Sequence, residues 1–330
     1  MPRSATVALI GGDSLMGREI RDVFAAASPG VNLRLIAADD EETGALTEQA
    51  GEATFLAGLD ASNLEDATAV FLAASVESTR QAMKLAPGSG LIDLTYAAED
   101  KPTARLRAPM VEPKGYKTPR GAIHVIANAA AIAVTLVLNR LHPHFTVRRS
   151  LMHVFEPASE RGRRGLDELQ QQTVSLLAFK GIPKKVFDAQ LAFNLLARYG
   201  EEAPQALEEA ELRIERHLAT LLSNSSQAPM PSLRLVQAPV FHGYAISLWV
   251  EFESNPGVGA IEAALDAEPI DLRVSEAEPP NIVGAAGQSG ISMGGVALDR
   301  NHTQACWLWI ALDNLRLQAE NAVAVARELV

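Results

Sequence analysis

The stretch GAIHVIANAAAIAVTLVLNRLHP, residues 121–143, decides the fold of the chain. Its first residues, up to Ala127, alternate and then run apolar, which predicts a short buried strand. Asn128 stands at the position of a helix N-cap, because its side-chain oxygen can accept a first-turn N–H. The apolar residues that follow predict a helix ending at His142-Pro143. Such a turn can hold a nucleophile, since the helix dipole stabilises negative charge there. This one carries only Asn128 and three alanines before Ile132.

Composition sets the broad class of the protein. The chain has 330 residues, of which 48% are hydrophobic and 21% charged, as in ordinary globular proteins of about two domains. A net charge of −11 argues against nucleic acid or an anionic membrane as a partner. No apolar run reaches the roughly 20 residues of a membrane span. A single cysteine, Cys306, excludes an internal disulfide, so we expect a cytoplasmic protein.

The N-terminal third alternates strand-like and helix-like segments. The run ATVALI (residues 5–10) leads into the glycine turn GGDSLMG (11–17) and then into a segment of helical spacing. A strand, a glycine turn and a helix in this order begin a dinucleotide-binding unit. The next strand ends in the acidic run 39–42, DDEE. We therefore expect an α/β fold whose residues 1–127 form a Rossmann-like, doubly wound parallel sheet.

Beyond Pro143 the pattern changes to longer alternating strands. Residues 128–305 are predicted to form an α+β dimerisation or substrate-type domain with mostly antiparallel strands. Two of these strands, 232–240 and 244–253, look like a hairpin joined by Phe241-His242-Gly243. Residues 306–330 are predicted to form a last strand and a closing helix that packs back on the first domain. The open face of the second sheet needs a cover, for which we expect a second copy of the chain.

Four motifs follow one another along the chain: GGDSLMG (11–17), LIDLT (91–95), VQAPVFHGYAISLWVEF (236–252) and LWIALDNLRLQAENAV (308–323). Together and in this order they resemble the aspartate-semialdehyde dehydrogenase family over essentially the whole chain. A further segment, FDAQLAFNLLARYG (187–200), looks particularly like the Usg-type paralogues of that dehydrogenase.

The resemblance implies a reaction whose chemistry this sequence lacks. In the family, a cysteine thiolate attacks aspartate semialdehyde, hydride passes to NADP and phosphate releases aspartyl phosphate. The nucleophile position falls within a residue or two of Ala130, the substrate-binding arginine becomes Gln237 and the acid/base histidine becomes Tyr244. Tyrosine is too weak an acid and too weak a base at neutral pH to replace imidazole. Other family positions are altered as well, at Glu99, Gly295 and the loop Glu156-Pro157-Ala158-Ser159-Glu160.

The residues expected to surround a cofactor are also changed. The candidates are those of the glycine turn and of the end of the second strand: Gly11, Asp13, Ser14, Leu15, Met16, Gly17 and Asp39. Asp13 faces the position of a pyrophosphate, which is unfavourable for binding. Asp39 and Asp40 would repel the 2′-phosphate of NADP but can hydrogen-bond a free ribose hydroxyl. We therefore expect either weak NAD binding or no cofactor.

Three functions remain open from the sequence. The first is a catalytically inactive, dimeric relative of the dehydrogenase that acts by binding or regulation. The second is an active NAD(P)-linked oxidoreductase with another catalytic set, including His153 or His242. The third is a regulatory partner subunit of an active homologue.

Other candidate residues are weaker. Cys306 is expected to be a buried structural thiol. Arg161, Arg163 and Arg164 are expected on a solvated loop face or at a local anion contact. His142 and His144 lack further ligands nearby, so no metal site is predicted.

Overall fold

The computed structural model describes residues 5–28, 30–39, 41–49, 51–86, 88–274 and 278–330. The chain divides into two units. The first comprises the chain up to Ala127 together with residues from Gln318 onwards, and the second comprises Asn128–Leu317. No helix in the described part of the chain has both the length and the apolar character needed to cross a membrane.

The first unit alternates short strands with two helices. Its elements are β1 (Thr6–Ile10), α1 (Leu15–Ala27), β2 (Asn32–Ile36), β3 (Leu46–Gln49), β4 (Glu52–Phe55), β5 (Ala67–Leu72), α2 (Val76–Leu85), β6 (Gly90–Asp93), β7 (Ala104–Arg107) and β8 (Ile123–Ile126).

Six of these strands form one parallel sheet in the order β2-β1-β5-β6-β8-β7. All five residues of β1 are buried, because the strand lies between β2 and β5 and its side chains enter hydrophobic cores on both faces of the sheet. Its core also includes apolar residues of the closing helix, from Ala319 to Ala326. The predicted Rossmann-like parallel sheet is confirmed. The separate β3–β4 hairpin and the edge strand β7 were not predicted, since their short sequences (LTEQ, EATF, ARLR) lack an apolar alternation.

The second unit contains longer strands and more helix. Its elements are α3 (Ala129–Leu141), β9 (Val147–Glu156), a 3₁₀ turn (Ala158–Arg161), α4 (Gly162–Leu177), α5 (Leu207–Asn224), β10 (Ser232–Gln237), β11 (Tyr244–Phe252), α6 (Val258–Leu265), β12 (Ile270–Arg273), α7 (Ile282–Ala285), β13 (Ile291–Leu298), β14 (Ala305–Leu312) and α8 (Asn314–Leu329), which continues into the first unit.

The second sheet is mixed, in the order β10-β9-β11-β14-β13-β12. The expected hairpin of β10 with β11 is wrong: β10 pairs parallel to β9, and β11 pairs antiparallel to the other edge of β9. The connection between them crosses the end of β9. There Ala158 and Ser159 donate their N–H groups to the carbonyls of Val240 and Phe241, at 2.8 and 3.0 Å. These contacts carry the chain over one strand instead of turning it back on itself.

Residues 178–206 cross the unit without a named helix or strand, and two buried side chains of α4 hold them. The Glu168 carboxylate accepts the N–H groups of residues 185–187 at 2.6, 2.7 and 3.2 Å. One turn later, the Gln172 side-chain oxygen accepts the N–H groups of Leu191 and Ala192. Buried main-chain groups need such partners, so Glu168 and Gln172 replace the ladder that a strand would provide.

We expect Glu168→Gln to loosen this segment. The carboxylate accepts three N–H groups on two oxygens, whereas the glutamine amide has only one oxygen to accept them. The free energy of unfolding should fall by about 1–3 kcal/mol, and amide exchange at residues 185–187 should accelerate. Denaturant unfolding and hydrogen exchange measure the two effects. Asp167→Asn, at an exposed neighbour on the same helix, is the matched control. Equal exchange rates in the two variants would contradict the assignment.

Candidate functional site

The site in the second unit is built around the start of α3. The side chain of Asn128 caps this helix by accepting the Ala130 N–H at 2.8 Å. The main-chain N–H of Asn128 donates to Nδ1 of His217, at 2.9 Å. Ala129, Ala130 and Ala131 are all fully buried. The turn therefore presents one amide side chain and three methyl groups, none of which is a nucleophile at neutral pH.

Tyr244 contacts this turn, and both Tyr244 and Gln237 are fully buried. The Asn128 side-chain amide reaches the Tyr244 hydroxyl at 3.4 Å. The Gln237 amide donates to the carbonyls of Glu156 and Ala238, at 2.8 and 3.1 Å, and its oxygen accepts the Tyr199 hydroxyl. Both the NH2 group and the oxygen of the Gln237 side-chain amide are thus engaged within the protein itself.

A buried ion pair adjoins these residues. The Arg161 guanidinium binds the Glu156 carboxylate at 2.8 Å, with 9% and 1% of the two side chains exposed. It also donates to the Tyr199 hydroxyl and lies 5.3 Å from the centre of the Tyr199 ring. Of the three clustered arginines, Arg161 makes a local anion contact, whereas Arg163 and Arg164 are exposed on α4.

A second carboxyl group, that of Glu160, is half-buried and interacts with the Tyr244 side chain. It accepts the Asn314 side-chain amide at 2.7 Å, and Asn314 also contacts Ser159. The Tyr244 hydroxyl interacts with both Glu156 and Glu160. We call this set of side chains the buried polar cluster: Asn128, Glu156, Ser159, Glu160, Arg161, Tyr199, Gln237, Tyr244 and Asn314.

Burial dominates the titration of this cluster. It raises the pKa of Glu160 to about 7, and the neighbouring Glu156 adds to the effect. Burial also raises the pKa of Glu156, although Arg161 opposes that shift. The pKa of Tyr199 is raised by burial and by Glu156 as well. Because two carboxyl groups share one guanidinium, they titrate as a pair.

The remaining predicted side chains lie elsewhere in the second unit. In the β11–β14 pairing, Tyr244 lies opposite Leu312 and Val250 opposite Cys306. Six residues of strand separate these positions, so Cys306 lies about 20 Å from Tyr244. Cys306 is fully buried, and burial raises the pKa of its thiol. His153 is an odd number of residues from Glu156 on β9 and faces the opposite side of the sheet. His242 is exposed.

The glycine turn of the first unit holds the other predicted residues. Gly11 has φ +84°, and a Cβ there would lie 2.7 Å from that of Ala74, so the turn requires glycine. Ser14 caps α1 by accepting the Gly17 N–H, and its hydroxyl donates to the Ala73 carbonyl at 2.8 Å. Leu15 and Met16 are the first residues of the helix.

Three acidic residues near this turn, Asp13, Asp39 and Glu41, are engaged by other groups of the chain. Asp13 pairs with Arg21 at 2.7 Å and accepts the Thr47 hydroxyl at 2.9 Å. Asp39 accepts the Ser75 hydroxyl, and Asp40 lies outside the described residues. Sequence reasoning placed Glu41 only within an acidic run. Its carboxylate accepts the main-chain N–H of Asp13 in the turn. Among the described residues, no group of three or more His, Cys, Asp or Glu side chains is placed to hold a metal ion.

Sequence reasoning missed His217, Tyr199 and the partner of Arg161. His217 lies on the buried face of α5 and reads as one more core position in its pattern. Tyr199 comes from the irregular segment 178–206, 38 residues from Arg161 along the chain. Neither position carries a local signal. The acids of the Glu156–Glu160 loop were noticed, but their burial was not.

Comparison with known proteins places this architecture. The chain is 24% identical to the aspartate-semialdehyde dehydrogenase of Rickettsia bellii, an alignment covering 100% of this chain and 99% of that protein. It is 28% identical to a USG-1 protein homolog of Azotobacter vinelandii, with the same coverage. The structure of a probable aspartate-semialdehyde dehydrogenase from Pseudomonas aeruginosa superimposes with a TM-score of 0.88 at 25% identity, covering 99% of this chain and 98% of that one.

A fourth comparison concerns the fold alone. The aspartate-semialdehyde dehydrogenase of Candida albicans, solved with NADP, has a TM-score of 0.67 at 13% identity, with 99% and 98% coverage. Residues 138–317 match the family model described as the semialdehyde dehydrogenase dimerisation domain. Since this match spans more than half of the chain, the protein belongs to the semialdehyde dehydrogenase family.

Proposed function

We propose that this protein is a non-catalytic member of the family, which acts by binding and not by turnover. The observation that carries the proposal is the start of α3, where Asn128 and three buried alanines occupy the turn at which the resemblance puts the nucleophile. An alanine methyl group cannot form the covalent intermediate that the family reaction needs. Cys306, about 20 Å from Tyr244 along the strands, cannot supply the sulfur from where it lies.

The other two positions that the resemblance assigns to catalysis support the same conclusion. Gln237 carries no charge with which to bind a substrate carboxylate, and its amide is bonded to two carbonyls. Tyr244 is fully buried and lies between two carboxyl groups. The buried polar cluster therefore satisfies its own hydrogen bonds, where a catalytic site keeps groups available for a substrate.

We expect purified protein to show no phosphate-dependent reduction of NADP or NAD with aspartate semialdehyde above the buffer background. Loss of a nucleophile lowers turnover by as much as about a millionfold in well-studied covalent catalysis. The Rickettsia bellii relative, assayed in parallel by absorbance, is the positive control. Ala130→Cys alone should stay inactive, because Gln237 and Tyr244 still replace the charged and imidazole groups. Wild-type turnover within a hundredfold of the control would refute the proposal.

A homodimer is part of this proposal. It is supported by the dimerisation-domain match and by the face of the second sheet turned away from the buried polar cluster. That face presents Leu151, Trp249, Trp307 and Trp309, of which Leu151 and Trp307 are each 37% exposed. An aromatic and aliphatic sheet surface of this kind is typical of a subunit interface.

We expect light scattering at micromolar concentration to give twice the mass of one chain. Leu151→Glu should shift the protein toward the monomer, because it puts a charge on this face beside Trp249. The matched control is Leu46→Glu, which changes an exposed leucine of the β3–β4 hairpin and should leave the mass unchanged. A monomeric wild type would exclude the dimer.

Glu160 gives the folded protein a distinctive pH dependence. Its folded-state pKa of about 7 lies above the ordinary value of 4.5, so the protonated carboxyl is the favoured form. The stabilising contribution is fully present below pH 4.5 and is lost as the pH rises through about 7.

We expect wild-type protein to lose on the order of 1–3 kcal/mol of unfolding free energy, relative to Glu160→Gln, between pH 5 and pH 8. The glutamine keeps the shape of the side chain and the hydrogen bond from Asn314 but carries no titrating group. Denaturant unfolding at several pH values measures the difference. Glu201→Gln, at an exposed position, serves as the control. Parallel pH profiles for wild type and Glu160→Gln would show that Glu160 does not titrate in this range.

A further inference from the structure

The loop after β2 places the Glu41 side chain against the glycine turn. One carboxylate oxygen accepts the Asp13 N–H at 2.9 Å, and the other accepts the Ala38 N–H at 3.1 Å. Glu41 is half-buried, and burial raises the pKa of its carboxyl. The two N–H donors belong to the end of β2 and to the turn after β1. One carboxylate thus bridges the ends of two neighbouring parallel strands.

These strand ends are where this class of fold binds nucleotides. In an open parallel sheet, a ligand lies in the crevice beyond the carboxyl ends of the strands, where the chain order reverses. Here that point is β1, which has β2 on one side and β5 on the other. The pyrophosphate of a dinucleotide lies at the N-terminus of the first helix, and its ribose lies near the end of the second strand. The Asp13 and Ala38 N–H groups line the space between these two positions.

Two more side chains connect the same strand ends. The Ser14 hydroxyl donates to the Ala73 carbonyl, which joins the glycine turn to the end of β5. Asp39, with φ +56°, turns the loop so that its carboxylate accepts the Ser75 hydroxyl at the start of α2. Together with Glu41, these contacts link β1, β2 and β5 across the mouth of the crevice. We call these four hydrogen bonds, made by the side chains of Ser14, Asp39 and Glu41, the crevice clasp.

The charges of the clasp oppose a dinucleotide as well. Asp13 is paired with Arg21, whereas the carboxylates of Asp39 and Glu41 are bonded to a hydroxyl and to main-chain N–H groups. A pyrophosphate at this turn would face the Asp13 carboxylate, whose charge Arg21 and, at 3.8 Å, Arg18 partly neutralise. A 2′-phosphate would face the carboxylates of Asp39 and Glu41, which neutral donors hold in place. The residues in this arrangement therefore do not fit bound NADP, and NAD would have to displace Glu41.

We infer that Glu41 is an internal occupant of the nucleotide crevice, whose carboxylate takes the main-chain N–H groups a dinucleotide would approach and so keeps dinucleotides out. Asp39 acts with it by holding the loop to Ser75. This inference is independent of the proposed lack of catalysis, because a chain without a nucleophile can still bind a nucleotide. A binding measurement on the intact protein tests it without reference to turnover.

The experiment compares wild type, Glu41→Ala and the double variant Asp39→Ala/Glu41→Ala by calorimetry with NADP and with NAD up to millimolar concentration. We expect wild type to bind neither. Glu41→Ala should bind one of them at least tenfold more tightly than the weakest affinity that the measurement detects. The double variant should bind NADP more tightly still, because it removes two carboxylates. Glu42→Ala is the matched control: it removes a charge from an exposed position in the same loop and should behave like wild type.

Amide exchange tests the contact directly and needs no ligand. The Asp13 and Ala38 N–H groups should exchange more slowly in wild type and Glu42→Ala than in Glu41→Ala. Equal exchange in all three proteins would show that the carboxylate does not hold these groups in solution. Micromolar binding of NAD or NADP by wild type would overturn the inference. So would a double variant that unfolds at the wild-type temperature and still binds neither dinucleotide.

Discussion

A buried carboxylate needs partners, and the second unit is arranged to give Glu156 its partners. The Arg161 guanidinium neutralises it from the 3₁₀ turn that follows β9, and the Tyr199 ring lies against that guanidinium. Removing one member of a buried ion pair costs about 3–5 kcal/mol, because the other charge stays buried without compensation. Tyr199 reaches this pair from the long irregular segment, which two buried polar side chains of α4 hold in place.

Much of the fold followed from local patterns, and the departures have physical reasons. The β-branched runs of β1 and β5 are buried on both faces and read as strands without ambiguity. The start of α4 at Gly162 could not be read from its sequence, because the first turn of this helix is polar and has no apolar periodicity. The pairing of β10 could not be read from its sequence, since alternation gives the face of each residue but not the neighbouring strand.

The candidate site shows the same division. Its positions on regular elements, Asn128, Gln237 and Tyr244, were identified from the sequence. The partners that fill the space around them were not, because they are side-chain contacts between residues far apart in the chain. In the first unit, the Asp39 carboxylate, which the sequence offers as a possible partner of a ribose hydroxyl, accepts the Ser75 hydroxyl. In each unit, groups that the fold positions for a ligand are engaged by the chain's own side chains.

The burial of Cys306 has a practical consequence. The chain contains a single sulfhydryl, and none of its surface is accessible in the folded state. An alkylating reagent therefore meets that sulfur only when β14 separates from its neighbours in the sheet. Labelling of this sulfur therefore reports the opening of the second sheet around β14, and each molecule carries one such site.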